Sequence, residues 1–248
     1  MKMKKSKLLL ISLFLYVNYS FINGNTLIVG EKLVFDVSWQ FIKVGYGTLE
    51  VKNILDYNGT KAYHIYSEAK SAPFFDIFYK VRDTNESWVD INRFYSLAFK
   101  QSIKEGGYKR ERFTKYDQKN HKATNQKNEI FDIPNDVLDV LSAFYWVRLQ
   151  KLESGSVLKV NVNSHNKSYL MNVNIHNREI LRIGDREYNT IIVEPVLQDS
   201  GLFMQKGATR IWLTDDEKHI PVKMTSKVKV GTITAELNEK ESMIGGSK

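Results

Sequence analysis

The sequence contains no cysteine, which excludes disulfide bonds, thiol nucleophiles, thiolate metal sites and iron–sulfur clusters. It contains only four prolines, and no internal repeat or low-complexity segment interrupts it. A chain of 248 residues without cross-links has to be stabilised by an ordinary hydrophobic core, and it is long enough to form one.

The common catalytic and metal-binding motifs are also missing. None of the five histidines has the H-x-x-x-H or H-E-x-x-H spacing that places two imidazoles on one helical face, and there is no G-x-S-x-G elbow. The acidic run TDDEKH (214–219) is typical of a solvated turn, because adjacent carboxylates repel each other unless water screens them. We therefore expect no metal, no cofactor and no catalytic residue, and a hydrolase acting on envelope glycans is the least favoured function.

The longest apolar run lies near the N-terminus, at residues 8–17, where only Ser12 interrupts it. Four lysines precede this run, and small or polar residues follow it up to Gly24. This order is typical of a secretory signal peptide, and the run is shorter than the ~20 residues needed to span a bilayer. We predict a Sec-type signal peptide at residues 1–24 of a periplasmic or secreted protein, not a lipoprotein, with an uncleaved anchor as the alternative.

Removing residues 1–24 also removes half of the excess positive charge. The four lysines of this segment leave 32 of the 36 basic residues against 28 acidic ones, a net charge of +4 instead of +8. That weak basicity does not support nucleic-acid binding. Residues 25–245 show no composition break, so we predict a single β-rich domain without a transmembrane span.

Strand patterns dominate the rest of the chain. Residues 31–40 alternate between apolar and polar side chains, which is the period of a half-buried strand. The pairs Asn58-Gly59, Gly106-Gly107 and Gly184-Asp185 separate such segments and predict hairpins. We expect twelve to fourteen strands, paired antiparallel because their connections are short.

One segment has the pattern of a helix, DVLDVLSAFYWVRLQKLESG (136–155). Asn135 and Asp136 are candidate N-caps, and Gly155 is a candidate terminator. Between residues 137 and 147 only Asp139 and Ser142 are polar, and a helix that is apolar on nearly every side is buried. The predicted fold is therefore mainly β, with a curved antiparallel sheet or incomplete β-barrel wrapped around one helix at about 135–151; a helix dividing two β-halves is the alternative.

Several dispersed segments resemble the domain of unknown function 3108 family of exported bacterial envelope proteins. They are GEKLVFDVSWQFIKVGYGTLEV (30–51), SWVDINRFYSLAFKQSIKEGGYKRERFTKYD (87–117) and GATRIWLTDDEKHIPVKMTSKVKVGTITAEL (207–237). The helical segment is similar to the family's D-x-L-S-x-x-Y-x-x-R pattern, through Asp139, Leu141, Ser142, Tyr145 and Arg148. The resemblance implies a periplasmic or secreted location and a mainly β fold, and it implies no activity.

The candidate ligand-binding residues come from two places. On a strand, Tyr108, Arg110 and Arg112 share one face, where they could bind an anionic head group, although pairing with acids of a neighbouring strand is the simpler interpretation. The other candidates lie on the helix or on a half-buried strand, where aromatic side chains either line a cavity or fill a core: Tyr145, Trp146, Arg148 and Trp212.

These observations favour a non-enzymatic binding or carrier module whose concave face accepts an apolar or amphipathic molecule of the cell envelope, such as a lipid-like or glycan ligand. The alternative is a structural or interaction module in envelope assembly. It would contact an envelope protein through a sheet edge or through the aromatic segment PFFDIF (73–78), which follows Pro73 in a predicted loop.

Overall fold

The structure is a computed structural model, and it describes residues 26–197 and 209–245. The predicted signal peptide and its cleavage site lie outside these residues. Fifteen strands form the sheet. They are β1 Lys32–Trp39, β2 Ile42–Tyr57, β3 Thr60–Ser71, β4 Arg82–Asp90, β5 Ser96–Glu105, β6 Tyr108–Asp117, β7 Lys122–Asn125, β8 Ile130–Asp132, β9 Leu138–Asp139, β10 Val157–Ser164, β11 Lys167–Ile183, β12 Arg186–Leu197, β13 Thr209–Thr214, β14 Pro221–Lys227 and β15 Thr232–Leu237. Two helices lie within the described residues, α1 Pro73–Asp76 and α2 Val140–Arg148.

All the strands belong to one open, curved sheet, in the order β8-β7-β6-β5-β4-β3-β2-β1-β15-β14-β13-β12-β11-β10-β9. Every neighbouring pair is antiparallel except β9 and β10, which are parallel. The predicted mainly β fold with antiparallel pairing is therefore confirmed. The strands exceed the expected number because β8 and β9 are only three and two residues long, too short to show a period in the sequence.

Backbone geometry explains why the predicted hairpins form. Asn58 and Gly59 both have positive φ, 52° and 85°, which is the type I′ turn that matches the twist of the flanking strands. Gly106 begins the turn between β5 and β6 at φ 55°, and a Cβ there would lie 3.0 Å from the ring of Tyr79. Glycine therefore allows this turn to pack against the segment that contains α1.

The sheet curves enough to bring strands near its two edges into contact. The Tyr116 hydroxyl on β6 donates a hydrogen bond to the side-chain oxygen of Asn163 on β10, at 3.3 Å. The Gln118 side chain also donates to the carbonyl oxygens of Ser96 and Val137. Because the strands alternate in direction, the β1–β2, β5–β6, β10–β11 and β14–β15 turns lie at the same end of the sheet as α1. We call this end the α1 end.

The helix is shorter than the predicted 135–151, and its cap differs. Asp139 is the N-cap, and its carboxylate accepts hydrogen bonds from the amides of Leu141 and Ser142. Asn135 and Asp136 do not cap it, because the chain turns at Asp136, with φ 51°, before pairing with β10 as β9. The helix ends at its C-cap, Leu149, and Gly155 lies in a later turn.

Six of the nine residues of α2 are buried. Three of them, Leu141, Ala143 and Tyr145, belong to a core cluster that includes Val51, Ile65 and Val89 of the sheet. The opposite stripe is less covered: Val140 is 45% exposed, and Phe144 is only partly buried. The helix is therefore not covered evenly on all sides, contrary to what its all-round apolar sequence predicts.

Candidate functional site

An apolar cavity of about 370 Å³ lies between α2 and strands β10 to β13. One stripe of the helix forms its wall through Val140, Ala143, Phe144 and Val147. These positions follow the three- and four-residue spacing of side chains on one helical face. The helix therefore presents one stripe to the cavity while its other side packs into the core.

The strands supply the opposite wall through alternating residues, because side chains two apart on a strand share a face. These residues are Val162, Ser164, Tyr169, Met171, Val173, Val193, Pro195, Ile211 and Leu213. Nearly all are apolar. The inner sheet face and the helix thus enclose a space suited to hydrocarbon, within the ~300–1,000 Å³ typical of small-molecule sites.

A smaller pocket of about 130 Å³ adjoins the cavity and is polar. Arg110 and Arg112 line it from β6. They share the strand face of Thr114 and Tyr116, which are both buried, so the two arginines lie on the inner face of the sheet. Tyr108, Arg110 and Arg112 therefore lie on one side of β6, as the alternation along a strand predicts.

The two arginines are held by neutral groups. Arg112 donates to the side-chain oxygen of Gln101 at 2.5 Å, and Arg110 donates to the Tyr108 hydroxyl at 3.4 Å. Within residues 26–197 and 209–245, neither guanidinium has a carboxylate partner, so the cross-strand ion pairs considered above do not form. Burial and the neighbouring charge of Arg110 lower the pKa of Arg112.

His165 lies in the turn after β10 and lines the same pocket. Its Nδ1 is 2.8 Å from the Ser164 hydroxyl. Burial lowers the pKa of His165, and the charges of Arg112 and Arg110 lower it further. The charges of the two arginines therefore favour the neutral imidazole, and a change in those charges should change the pKa of His165.

Two of the predicted ligand residues on α2 lie in the core instead. Arg148 forms a bidentate ion pair with Glu31, with nitrogen–oxygen distances of 2.7 and 2.9 Å, and its Nε donates to the His219 carbonyl. Both charged side chains are almost fully buried. Tyr145 is fully buried, and the Arg148 guanidinium lies 5.1 Å from its ring centroid. These contacts attach the C-terminal end of α2 to the sheet, and neither residue lines the apolar cavity.

The two predicted tryptophans line neither the apolar cavity nor the polar pocket. Trp146 is partly buried and packs against the core between the helix and the sheet. Trp212 is on β13, but its neighbours Ile211 and Leu213 face the cavity, so its side chain lies on the opposite face. There its indole nitrogen donates to the Glu179 carboxylate at 2.6 Å.

A buried hydrogen-bond network fixes the start of α2. One oxygen of Asp139 accepts from the hydroxyls of Ser87 and Ser96, each at 2.6 Å, while the other caps the helix. Ser142 adds a hydroxyl contact with Ser96 at 2.8 Å. Burial raises the pKa of Asp139, although these donors oppose that shift. The network orients the helix and leaves the carboxylate no contact with either pocket.

The PFFDIF segment forms the short helix α1 rather than a loop. Its Asp76 receives two hydrogen bonds from Arg82, which hold the segment against the sheet. Phe74, Ile77 and Phe78 are nevertheless 71%, 79% and 72% exposed. These exposed side chains form an apolar patch.

Two neighbouring turns extend this patch. The amide of Ala72 donates to the Val44 carbonyl, which brings the β1–β2 turn and its 99% exposed Phe41 beside α1. On the other side, the indole of Trp39 donates to the carbonyl of Val230, which is also exposed. We call Phe41, Phe74, Ile77, Phe78 and Val230 the α1 surface.

Residues 215–218 of the acidic run form an exposed turn between β13 and β14, as the composition of the run predicts, whereas His219 is buried. Asp215 forms an ion pair with Arg178, and Asp216 accepts hydrogen bonds from the amides of Lys218 and His219. In the part of the chain that the structure describes, no three histidine, aspartate or glutamate side chains are grouped as metal ligands would be. No helix of that part is long and apolar enough to cross a membrane.

The residues that line the apolar cavity are not among the candidates that the sequence predicts. The spacing of Val140, Ala143, Phe144 and Val147 marks a stripe on the helix, and the alternation in β11 marks the facing strand. Both patterns show which side chains face inward. Neither shows whether the facing side chains meet or leave a space.

The sequence matches the family described as "Protein of unknown function (DUF3108)" over residues 34–238. The chain belongs to this family. No curated protein matches the sequence.

Two solved structures of other families resemble the fold. The crystal structure of a "beta-barrel-like protein" of the DUF1849 family from Brucella abortus has a TM-score of 0.55 and 10% identity, covering 86% of this chain and 98% of its own. A DUF1089 family protein from Pseudomonas aeruginosa has a TM-score of 0.41 and 10% identity, covering 74% of this chain and 90% of its own. The first likeness supports a β-barrel-like fold and says nothing about function.

The family pattern in α2 now has a structural explanation. Asp139 caps the helix, Ser142 joins the buried hydroxyl network, and Arg148 pairs with Glu31 across the core. Tyr145 packs under the guanidinium. The residues that carry the resemblance therefore position the helix, and the cavity is lined by the residues between them.

Proposed function

We propose that the protein is a non-enzymatic binding or carrier module of the bacterial cell envelope, which holds an apolar or amphipathic molecule between α2 and the sheet. The single observation that carries this proposal is the apolar cavity of about 370 Å³. A core whose only role is stability closes such spaces, because each unfilled volume costs free energy. In this proposal the curved sheet acts as an incomplete barrel around the helix, and the open stripe of α2 faces the ligand.

The proposal includes export. The signal-peptide pattern at residues 1–24 supports a periplasmic or secreted protein. Fractionation of the native cells and N-terminal sequencing of the mature protein test this part, with the mature chain expected to begin at about residue 25. A chain that retains its N-terminus and sediments with membranes would contradict it.

Native mass spectrometry of the protein purified from its own envelope fraction tests the binding function. We expect about one bound molecule per protein chain, and we expect organic solvent to extract it. For a homologous series of alkyl ligands, each methylene buried should strengthen binding by up to about 0.8 kcal/mol, or roughly fourfold, until the cavity is full.

A variant that fills the cavity tests the location of the binding site more directly. Ala143→Phe places a ring in the space beside the helix, and Ala69→Phe makes the same change at an exposed position on β3. We expect Ala143→Phe to weaken alkyl-ligand binding at least tenfold and Ala69→Phe to leave it unchanged. Equal binding by both variants would refute a ligand site at this cavity.

A second candidate function is an interaction module that docks through the α1 surface. The observation that favours it is the group of exposed apolar side chains on adjacent turns, with Phe41 99% exposed. Single exposed hydrophobic residues are common, but a contiguous group marks a contact site. Lys80 and Lys229 are exposed beside it. Aromatic tips flanked by lysines match a lipid surface with anionic head groups, so we take a membrane surface as the occupant.

Co-sedimentation with vesicles tests this candidate. We expect wild-type protein to bind vesicles that contain an anionic lipid, and Phe41→Ser/Phe78→Ser to lose most of that binding. Ile54→Ser/Ile180→Ser removes two exposed apolar residues from the opposite end of the sheet and should bind as wild type. A stoichiometric protein partner captured from intact envelope, together with no vesicle binding, would replace the membrane as the occupant.

A further inference from the structure

The positive charge on the inner sheet face is concentrated beside one opening of the apolar cavity. Arg110, Arg112 and Lys127 line the polar pocket. Arg112 is half-buried, and its only hydrogen-bond acceptor among the described residues is the neutral Gln101. Two guanidinium groups on one inner face repel each other, and such an arrangement is favourable only where an anion or solvent compensates it.

The acidic groups nearby supply only part of that compensation. Glu129 lines the pocket, where its carboxylate accepts a hydrogen bond from Asn125 at 2.6 Å, so one negative charge stands beside the three positive charges of the lining residues Arg110, Arg112 and Lys127. Asp139 is fully buried, and both its oxygens are occupied by serine hydroxyls and the helix amides. The pocket is therefore left with an excess of positive charge that faces inward.

The polar pocket and the apolar cavity share two wall residues. Val140, the first residue of α2, and Ser164, the last residue of β10, line both spaces. A chain lying in the cavity would therefore place its end group at this boundary, within reach of side chains that extend from β6. The cavity volume of about 370 Å³ is near the lower end for small-molecule sites, which favours a single hydrocarbon chain.

We propose that the polar pocket is a head-group subsite, in which Arg110 and Arg112 bind the carboxylate or phosphate of a single-chain anionic amphiphile whose chain occupies the cavity. The inference rests on the binding function proposed above and names its ligand class. The planar guanidinium groups can each donate two parallel hydrogen bonds to such an anion. Lys127 adds charge without directional contacts.

Binding measurements with matched ligands test the subsite on the full mature chain. The ligands are laurate, dodecyl phosphate and the uncharged monolaurin, each used below its aggregation concentration, with inorganic phosphate as the anion without a chain. We expect Arg110→Gln/Arg112→Gln to weaken laurate and dodecyl phosphate binding about ten- to a hundredfold, because two charge-assisted hydrogen-bonding groups are lost. Monolaurin binding should stay within about twofold of wild type.

The control removes the same charge from the other face of the strand. Lys109→Gln/Lys115→Gln lies on the exposed side of β6 and should leave laurate binding unchanged, which separates a specific subsite from a general effect of net charge. Arg110→Lys/Arg112→Lys keeps the charge but loses the parallel hydrogen bonds, so it should recover part of the affinity. The subsite is refuted if Arg110→Gln/Arg112→Gln and Lys109→Gln/Lys115→Gln weaken laurate binding equally. It is also refuted if the lysine variant of the two arginines recovers none of the lost laurate affinity.

The ligand series also distinguishes failure of this inference from failure of the proposed function. If monolaurin and laurate bind equally to wild type and to Arg110→Gln/Arg112→Gln, the cavity binds chains but the head-group subsite is wrong. If no chain-bearing ligand binds, both are wrong. If inorganic phosphate binds as tightly as dodecyl phosphate, the pocket is a site for a free anion and the amphiphile is wrong.

His165 gives an independent readout, because its imidazole senses the two arginines. A bound anion offsets their charge, so laurate should raise the pKa of His165 in an NMR titration, whereas monolaurin should not. The His165→Gln variant assigns the resonance among the five histidines. An unchanged His165 titration at saturating laurate would place the head group elsewhere.

Discussion

The buried ion pair between Arg148 and Glu31 allows a quantitative test of what the family pattern in α2 does. The two side chains are 5% and 3% exposed and meet through two parallel hydrogen bonds. Burial alone would lower the pKa of Arg148, but the bonds to Glu31 outweigh it and raise that pKa. The guanidinium therefore stays charged in the core and depends on its partner.

Removing one partner leaves the other charge buried and unpaired, which costs about 3–5 kcal/mol. We therefore expect Glu31→Leu and Arg148→Met each to lower the free energy of unfolding by that amount. In a chain of this size the loss corresponds to a decrease of roughly 6–20 °C in Tm. The double variant leaves no unpaired charge, so its cost should be smaller than that of either single variant.

Urea denaturation followed by circular dichroism at 25 °C measures the free energy of unfolding of wild type, the two single variants and the double variant. A single substitution that costs less than about 1 kcal/mol, or a double variant whose loss equals the sum of the single ones, would refute the reasoning. Laurate binding is measured at a temperature where Arg148→Met is still folded. It should match wild type within about twofold, because Arg148 lines neither the apolar cavity nor the polar pocket.

Three further predictions concern stability and ionisation. Gly45→Ala should lower the free energy of unfolding by about 1–3 kcal/mol in urea denaturation, since its Cβ would lie 2.2 Å from a backbone oxygen of β3. Gly47→Ala should cost much less, because no atom would lie closer than 3.6 Å to its Cβ. Equal losses in the two variants would contradict this reasoning. Because the pKa of Asp139 is raised in the folded state, its contribution to stability is greatest below its unfolded pKa of about 4 and falls as the pH rises through the folded value. The free energy of unfolding of wild type minus that of Asp139→Asn, measured by urea denaturation, should therefore decrease from pH 3 to pH 7. An increase over this range would contradict the prediction. Burial and the carboxylate of Glu239 raise the pKa of Tyr188 to about 12, so ultraviolet titration of wild type against Tyr188→Phe should show one tyrosine that ionises only near this pH.

Much of the sheet could be predicted from the sequence, because its signals are local. Alternation along a strand and the pair Asn58-Gly59 depend on neighbouring residues only, and both lead to the observed hairpins. The helix ends were wrong for the opposite reason. Asp136 and its neighbours have the composition of an N-cap, but the tertiary pairing of β9 with β10 requires a turn there, so the cap moves to Asp139.

The candidate site was predictable in part. The shared face of Arg110 and Arg112 follows from the strand period, but the lack of an acidic partner depends on which strands pair with β6. The core role of Arg148 cannot be predicted locally, because its partner, Glu31, is 117 positions away in the chain and no local pattern connects them. The cavity itself depends on how closely α2 approaches β11 and β13, which side-chain periodicity does not encode.

The position of the first strand has a consequence for how the protein is made. β1 lies at the middle of the sheet, with seven strands on either side, and its partner across that middle is the last strand, β15. During synthesis the β1–β8 half can form hairpins early, but it gains its central partner only when residues 232–237 leave the ribosome. A chain cut short before β15 would carry two long unpaired edges, so nonsense or frameshift products ending there should aggregate or be degraded, even though most of the core is already translated.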